Sequence, residues 1–305
     1  MSKALKIAPV AGRIGAVIKD IHLSGDLDLG TIQAIEEALL KYKVLFFRGQ
    51  QHLDDASQEA FAKRLGQLYS HPTVPVKSGT SAVLELDSEH GGRANSWHTD
   101  ISFVAAYPKA SVLRSVVIPA AGGDTVWANT ASAYLDLPEE LRELVDKLRA
   151  EHTNAFDYAS FAYNQKLRND PAFLKYRKQF ESTVYETEHP LVRVHPETGE
   201  KNLLLGSFVK RIVGFKPDDS ARLLSILQDH VTRLENTVRW SWKVGDVVIW
   251  DNRATQHYAI NDYGSEHRVV RRVTIAGDIP FGVDGRQSVT IKPEPAQAED
   301  TPEAI

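Results

Sequence analysis

Side chains two apart in an extended segment point to one face, so His98 and Asp100 of Trp97-His98-Thr99-Asp100 aim an imidazole and a carboxylate at one point. A metal site built on those two donors needs a third. His257, at the end of Asp251-Asn252-Arg253-Ala254-Thr255-Gln256-His257, is the candidate. Two histidines and one carboxylate on one face of an octahedron leave three positions open. That arrangement suits a non-haem Fe(II) centre that binds a bidentate co-substrate and O2. A His-x-Asp pair by itself occurs by chance in many proteins and fits a solvated loop better than a ligand pair. Of the 11 histidines, His22, His52, His195 and His230 read as ordinary surface, turn or core residues.

Arg268 and Arg272 bracket Val269-Val270-Arg271 in an apolar, strand-like segment. Alternation puts Arg268, Val270, Arg272 and Thr274 on one face, and Val269, Arg271, Val273 and Ile275 on the other. Two guanidiniums on an inward face are costly unless anions accept their donors. Arginine is shaped for bidentate capture of a carboxylate or a tetrahedral oxyanion. The same pattern also fits a solvent face on which both arginines pair with Glu266 or Asp262. Thr125, in Gly122-Gly123-Asp124-Thr125, either adds a hydroxyl to such a carboxylate or serves as a turn residue.

Elements able to position these groups can be traced along the chain. Ile32, Ile35, Leu39 and Tyr42 stand at helical spacing over Thr31 to Tyr42, which runs into the apolar strand Val44-Leu45-Phe46-Phe47. A second helix is expected over Ala56 to Gly66, capped by Asp54 or Asp55, and a third after Leu137-Pro138. Further strands are expected at Val83 to Leu86, Ser111 to Ile118, Leu191 to His195 and Asn202 to Leu205, and a helix at Ser220 to Val231. The last third is β-like: Thr237 to Trp242, Val247 to Trp250 and Val269 to Ala276. Tyr158 to Thr187 is polar and aromatic without clear period, the signature of a lid or binding loop. One domain over 1–285 is expected, as a β-sandwich or barrel flanked by helices, with 286–305 a disordered tail.

Hydrophobic content of 42% with 25% charged residues allows a sizeable core. A net charge of -4 and the lack of basic runs argue against nucleic acid or a membrane surface as partner. There is no cysteine, so any metal must sit on His, Asp or Glu. The start lacks the apolar region of a signal peptide, and a cytoplasmic setting is expected.

Taken in order, Trp97-His98-Thr99-Asp100, Gly122-Gly123-Asp124-Thr125, Trp250 to His257, and Arg268 with Arg272 resemble the taurine dioxygenase/TfdA family of Fe(II)/2-oxoglutarate dioxygenases. The likeness runs from roughly Val10 to Pro280. It implies a mixed, mainly β fold with a double-stranded β-helix (jelly-roll, cupin-like) core, flanking helices, and a dimer or tetramer. It further implies Fe(II) on His98, Asp100 and His257, 2-oxoglutarate on Arg268 and Thr125, and O2 as the second co-substrate. Arg272 and His71 resemble residues that hold the anionic head of the primary substrate, and Phe208 resembles an aromatic wall of its pocket. Two positions depart from the taurine pattern: Val74 and Ala94 stand where a tyrosine and an asparagine contact the substrate amine. Neither side chain can accept a hydrogen bond from an ammonium, a loss worth about 1–3 kcal/mol each. An apolar substituent fits better, so a small anionic alkyl sulfate is the expected substrate, as in the alkylsulfatase branch. An aryloxyalkanoate, a sulfonate such as taurine, and a non-catalytic jelly-roll metal-binding protein are the alternatives.

Overall fold

The computed structural model describes residues 5–90, 94–155 and 171–292. Strands β1 (Lys6–Pro9) and β2 (Ala16–Lys19) lead through helix α1 (Leu29–Tyr42), β3 (Val44–Phe47) and α2 (Asp55–Leu65) to β4 (Leu68–Tyr69) and β5 (Leu84–Asp87). Next come β6 (Ala110–Val117), β7 (Thr125–Asn129), α3 (Thr130–Leu135), α4 (Glu139–Val145) and β8 (Arg149–Thr153). The middle holds α5 (Pro171–Phe180), β9 (Glu186–Pro190), β10 (Val192–Val194), β11 (Lys201–Leu203), β12 (Val209–Ile212) and α6 (Pro217–Val231). Then follow β13 (Thr237–Trp240), β14 (Val247–Asp251), β15 (Thr255–Ala259), β16 (Val269–Ile275) and β17 (Val289–Thr290).

The large sheet has the order β1-β2-β3-β14-β6-β16-β4, with β5 also paired to β16, and β13-β7-β15 form a smaller sheet. Alternation sorts its residues into two layers. Leu45 and Phe47, Val112, Val247 and Ile249, and Val273 and Ile275 face α1 and α2, meeting Ile35, Leu39 and Phe61. Val44 and Phe46, Leu113, Val248 and Trp250, and Val270 face the other way, onto Trp127, Val238 and Trp240 of the small sheet. This is the sheet-on-sheet core of a jelly roll, with helices outside one sheet.

Local chemistry fixes the helix starts. Asp54 caps α2 through a capping box with Ser57, and Asp28 caps α1 by accepting the Thr31 N–H at 3.0 Å. Pro217 occupies the first turn of α6, where its missing N–H has no cost. None of the helices among the described residues is long and apolar enough to cross a membrane.

Two expectations need correction. The segment Tyr158 to Thr187 is not irregular throughout: 171–180 form α5, with Tyr176 and Phe180 one turn apart and stacked. Residues 158–170 lie outside the described residues. The expected domain end at 285 is also too early. β17 pairs with β9 in the sheet β12-β8-β9-β17, and the Ser288 hydroxyl bonds to His189. Of the expected tail, 293–305 lie outside the described residues.

Candidate active site

Three elements bring the metal-ligand candidates together. His98 pairs with His257 of β15 in an isolated antiparallel bridge, His98 N–H to His257 O at 3.1 Å and His257 N–H to His98 O at 2.9 Å. The rings are 4.1 Å apart. Gly206 allows a third segment to lie against this bridge, since a Cβ there would stand 2.9 Å from the Trp97 carbonyl and 3.0 Å from His98 Cα. Asp100 follows, its Oδ1 3.6 Å from His98 Nε2 and 3.8 Å from His257 Nε2. These three donor atoms lie within 4.8 Å of one another and all three residues are buried. The donor set therefore fits one ion of Fe(II) type with a face left open.

Hydrogen bonding sets the state of each donor. His98 Nδ1 lies 2.7 Å from the Ser96 carbonyl, an acceptor only, so Nδ1 carries a proton and Nε2 is the ring atom turned toward Asp100. Burial and the neighbouring His98 push His257 well below the usual histidine range, leaving it neutral. Burial drives the Asp100 carboxyl up, but Arg272, with His257 and His98, outweighs it and holds the group far below the usual carboxylate range. Its Oδ2 accepts from the Ser111 hydroxyl at 2.9 Å and its Oδ1 from Arg272 Nη1. Asp100 is thus a fixed anion facing His98 and the neutral imidazole of His257.

Both arginines point inward, buried to 7% (Arg268) and 8% (Arg272) exposure. Arg271, on the opposite face, pairs with Asp55 and Glu85. The solvent-face reading therefore fails. Glu266 instead accepts the Ala120 N–H, and Asp262 the Gly123 N–H. Arg268 Nε donates to the Gly123 carbonyl at 3.1 Å, and among the described residues no carboxylate lies within ion-pair distance of it. Burial lowers Arg268 more than Tyr263 and Asp124 raise it. Arg272 Nε is buried with no hydrogen-bond partner among the described residues. One cavity joins these groups, lined by Thr125, Trp250, His257, Ala259, Arg268 and Arg272. Thr125 is held by the indole N–H of Trp242, which donates to its hydroxyl at 3.0 Å.

On the other side of the triad lies an apolar, aromatic wall. Phe208 stands edge-on to His98 and to Phe103 and stacks on Phe180 of α5 at an interplanar angle of 18°. Val74 and Ile101 belong to the same cluster. His71 packs on Phe180, and its Nδ1 accepts the N–H of Thr73 (3.2 Å) and of Val74 (3.0 Å), so Nε2 is the donor. Burial, aided by Arg272 and opposed by Asp100, pushes His71 down to about 3, so it is neutral at ordinary pH. Ala94 lines the Arg268 cavity and not this wall.

A family model described as "Taurine catabolism dioxygenase TauD, TfdA family" matches residues 6–274. The chain belongs to this family. Within reach of it, the alpha-ketoglutarate-dependent sulfate ester dioxygenase of Pseudomonas putida is 64% identical over 289 residues, covering 94% of this chain and 95% of that protein. The alkylsulfatase of Acinetobacter baylyi is 56% identical over 304 residues, covering 99% of this chain and 95% of that protein. A crystal structure of a taurine dioxygenase from Burkholderia xenovorans superposes with a TM-score of 0.80 at 38% identity, covering 96% of each chain. The family fold is the jelly roll described above, and the chain is a 2-oxoglutarate-dependent dioxygenase of that family.

Sequence reasoning missed three supports of the site. Ser96 supplies the carbonyl that fixes the His98 tautomer, Ser111 bonds the Asp100 carboxylate, and Asn252 bonds the Asp100 backbone. Ser111 carried a usable signal: it alternates with Val112 in an expected strand, so it faces inward where an apolar residue would be ordinary.

Proposed function

We propose that the protein oxidises alkyl sulfates, hydroxylating the carbon that bears the sulfate ester, with 2-oxoglutarate and O2 as co-substrates and Fe(II) on His98, Asp100 and His257. The observation that carries this reading is the pair of inward, buried arginines beside the triad, of which only Arg272 pairs with a carboxylate, Asp100, among the described residues. Two further anions are called for: the distal carboxylate of 2-oxoglutarate and the head of the substrate. Bound Fe(II) would supply the oxidising chemistry by which 2-oxoglutarate, O2 and the substrate give succinate, CO2 and the hydroxylated substrate.

The chain's own residues do the positioning. Arg268 and Thr125 hold the distal carboxylate of 2-oxoglutarate in the cavity beside His257. Arg272, whose Nε is unsatisfied, and neutral His71, whose Nε2 donates, hold the sulfate. Val74, Phe208 and the rings packed on Phe208 exclude water around the alkyl chain and place its first carbon toward the metal. Hydroxylation there gives R–CH(OH)–O–SO3⁻, which collapses to the aldehyde and hydrogen sulfate without a protein acid or base. Val74 offers no acceptor for an ammonium, and the relatives named for sulfate esters or alkylsulfatase activity are 64% and 56% identical. Both points favour an alkyl sulfate over taurine.

Consumption of 2-oxoglutarate with hexyl sulfate, taurine and a phenoxypropionate, measured in parallel, tests the reading. Hexyl sulfate is expected to give the strongest coupling to succinate; coupling to taurine alone overturns it. A second expectation concerns Gly123, which has φ +71° and whose added Cβ would stand 3.0 Å from Arg268 Cδ. Gly123→Ala is therefore both strained and pushed against Arg268. It should raise KM for 2-oxoglutarate about tenfold, from a misplaced charged hydrogen bond, and leave KM for the sulfate unchanged. Steady-state kinetics in each substrate distinguish this from a general loss of fold, which would lower kcat alone.

A further inference from the structure

Ile101, directly after the carboxylate of the triad, has φ +56°. That left-handed conformation crowds any Cβ and is a genuine outlier for a β-branched residue. The side chain is 2% exposed and locked in the aromatic cluster, so the turn cannot relax by swinging into solvent. Something must hold the backbone there.

Asn252 is the group in place to do so. Its Oδ1 accepts the Asp100 N–H at 2.8 Å, and its Nδ2 donates to the carbonyls of Asp100 (3.0 Å) and Pro108 (2.9 Å). The Asp100 carbonyl belongs to the peptide plane joining Asp100 to Ile101, the plane whose rotation sets φ of Ile101. Asn252 is itself 1% exposed, and its N–H donates to Lys109 O at 2.9 Å. The preceding Asp251 is pinned by His195 and by Arg253. A loop held at Asp251 and Asn252 therefore grips the Asp100 backbone at both its N–H and its carbonyl. Without that grip Ile101 would relax to an ordinary extended or helical conformation, and the Asp100 carboxylate before it would shift away from His98 and His257.

We infer that Asn252 is a positioning residue: by clamping the Asp100 backbone it maintains the left-handed turn at Ile101 and thereby aims the Asp100 carboxylate at the metal. The inference rests on the reading that His98, Asp100 and His257 hold the ion. It is tested by titrating the metal-free protein and its variants with Mn(II), following free Mn(II) by electron paramagnetic resonance, alongside the melting temperature without metal. Asn252→Ala should weaken Mn(II) about 10- to 100-fold, the usual loss when a group orienting a ligand is removed. Glycine occupies the left-handed region at no steric cost, so Asn252→Ala with Ile101→Gly should regain about fivefold or more. A merely structural Asn252 would lower the melting temperature and leave Mn(II) affinity alone. Native affinity in Asn252→Ala, or a double variant no better than the single, overturns the inference. Should Asn252→Ala not fold, Asn252→Ser replaces it, since one hydroxyl cannot span the three partners. Asp100→Ala is the control: if it keeps native affinity, the metal-site reading itself fails, whereas native affinity in Asn252→Ala alone sinks only the positioning role.

Discussion

Asp100→Ala should abolish both Fe(II) uptake and 2-oxoglutarate decarboxylation. The reason is charge as much as geometry. Among the described residues Asp100 is the anion that faces both His98 and His257, and its second oxygen is already committed to Ser111. Removing it takes away one of three donors, so the loss of metal affinity must exceed the roughly 10- to 100-fold that follows removal of an outer partner. It also strands Arg272 as a buried, unpaired cation, which costs about 3–5 kcal/mol of fold stability. Calorimetric iron binding, with the unfolding midpoint measured in parallel, separates the two effects. Decarboxylation and iron uptake that both survive in Asp100→Ala would contradict the assignment.

The two inward arginines should separate cleanly. Arg268→Ala is expected to raise KM for 2-oxoglutarate about 10²-fold, the loss of a charge-assisted bidentate contact worth about 3 kcal/mol, with little change in KM for the sulfate. Arg272→Ala should do the reverse to a similar degree, and its kcat should also fall because Asp100 loses its charge partner. The asymmetry follows from their surroundings. Arg268 is anchored through Nε on the Gly123 carbonyl beside Thr125, away from the aromatic wall. Arg272 touches Asp100 and lies close enough to His71 to lower its basicity. Identical KM changes in both variants would show that the two anions are not partitioned as proposed.

The parts of this molecule that were legible in its sequence are those where burial is apolar or alternation is strict. β3, β14 and β16 announce themselves through Val, Leu, Ile, Phe and Trp, and the same alternation placed Arg268 and Arg272 on one face. His98 and Asp100 could be paired because their spacing is two in an extended segment. β8 and β9 escaped notice because what they bury is polar: Glu151, His152, Thr187 and His189 are all under 9% exposed and depend on tertiary partners. His152 meets the Ser102 hydroxyl, and Arg211 meets Glu151. No local pattern encodes such pairings. The role of Asn252 was hidden for the same reason, since its partners Asp100 and Pro108 lie 152 and 144 residues away. A strand whose inward side chains are polar and bonded to distant partners looks like a loop until those partners are known.

The most direct test of the central claim is to turn over hexyl sulfate under ¹⁸O₂ in the presence of Fe(II) and 2-oxoglutarate, reducing the aldehyde in situ to stop exchange with water. Label should appear in succinate and in the resulting hexanol, none in the sulfate, with succinate and sulfate formed in equal amounts. Sulfate released without 2-oxoglutarate, or carrying the label itself, would mean that the ester is cleaved by some other chemistry.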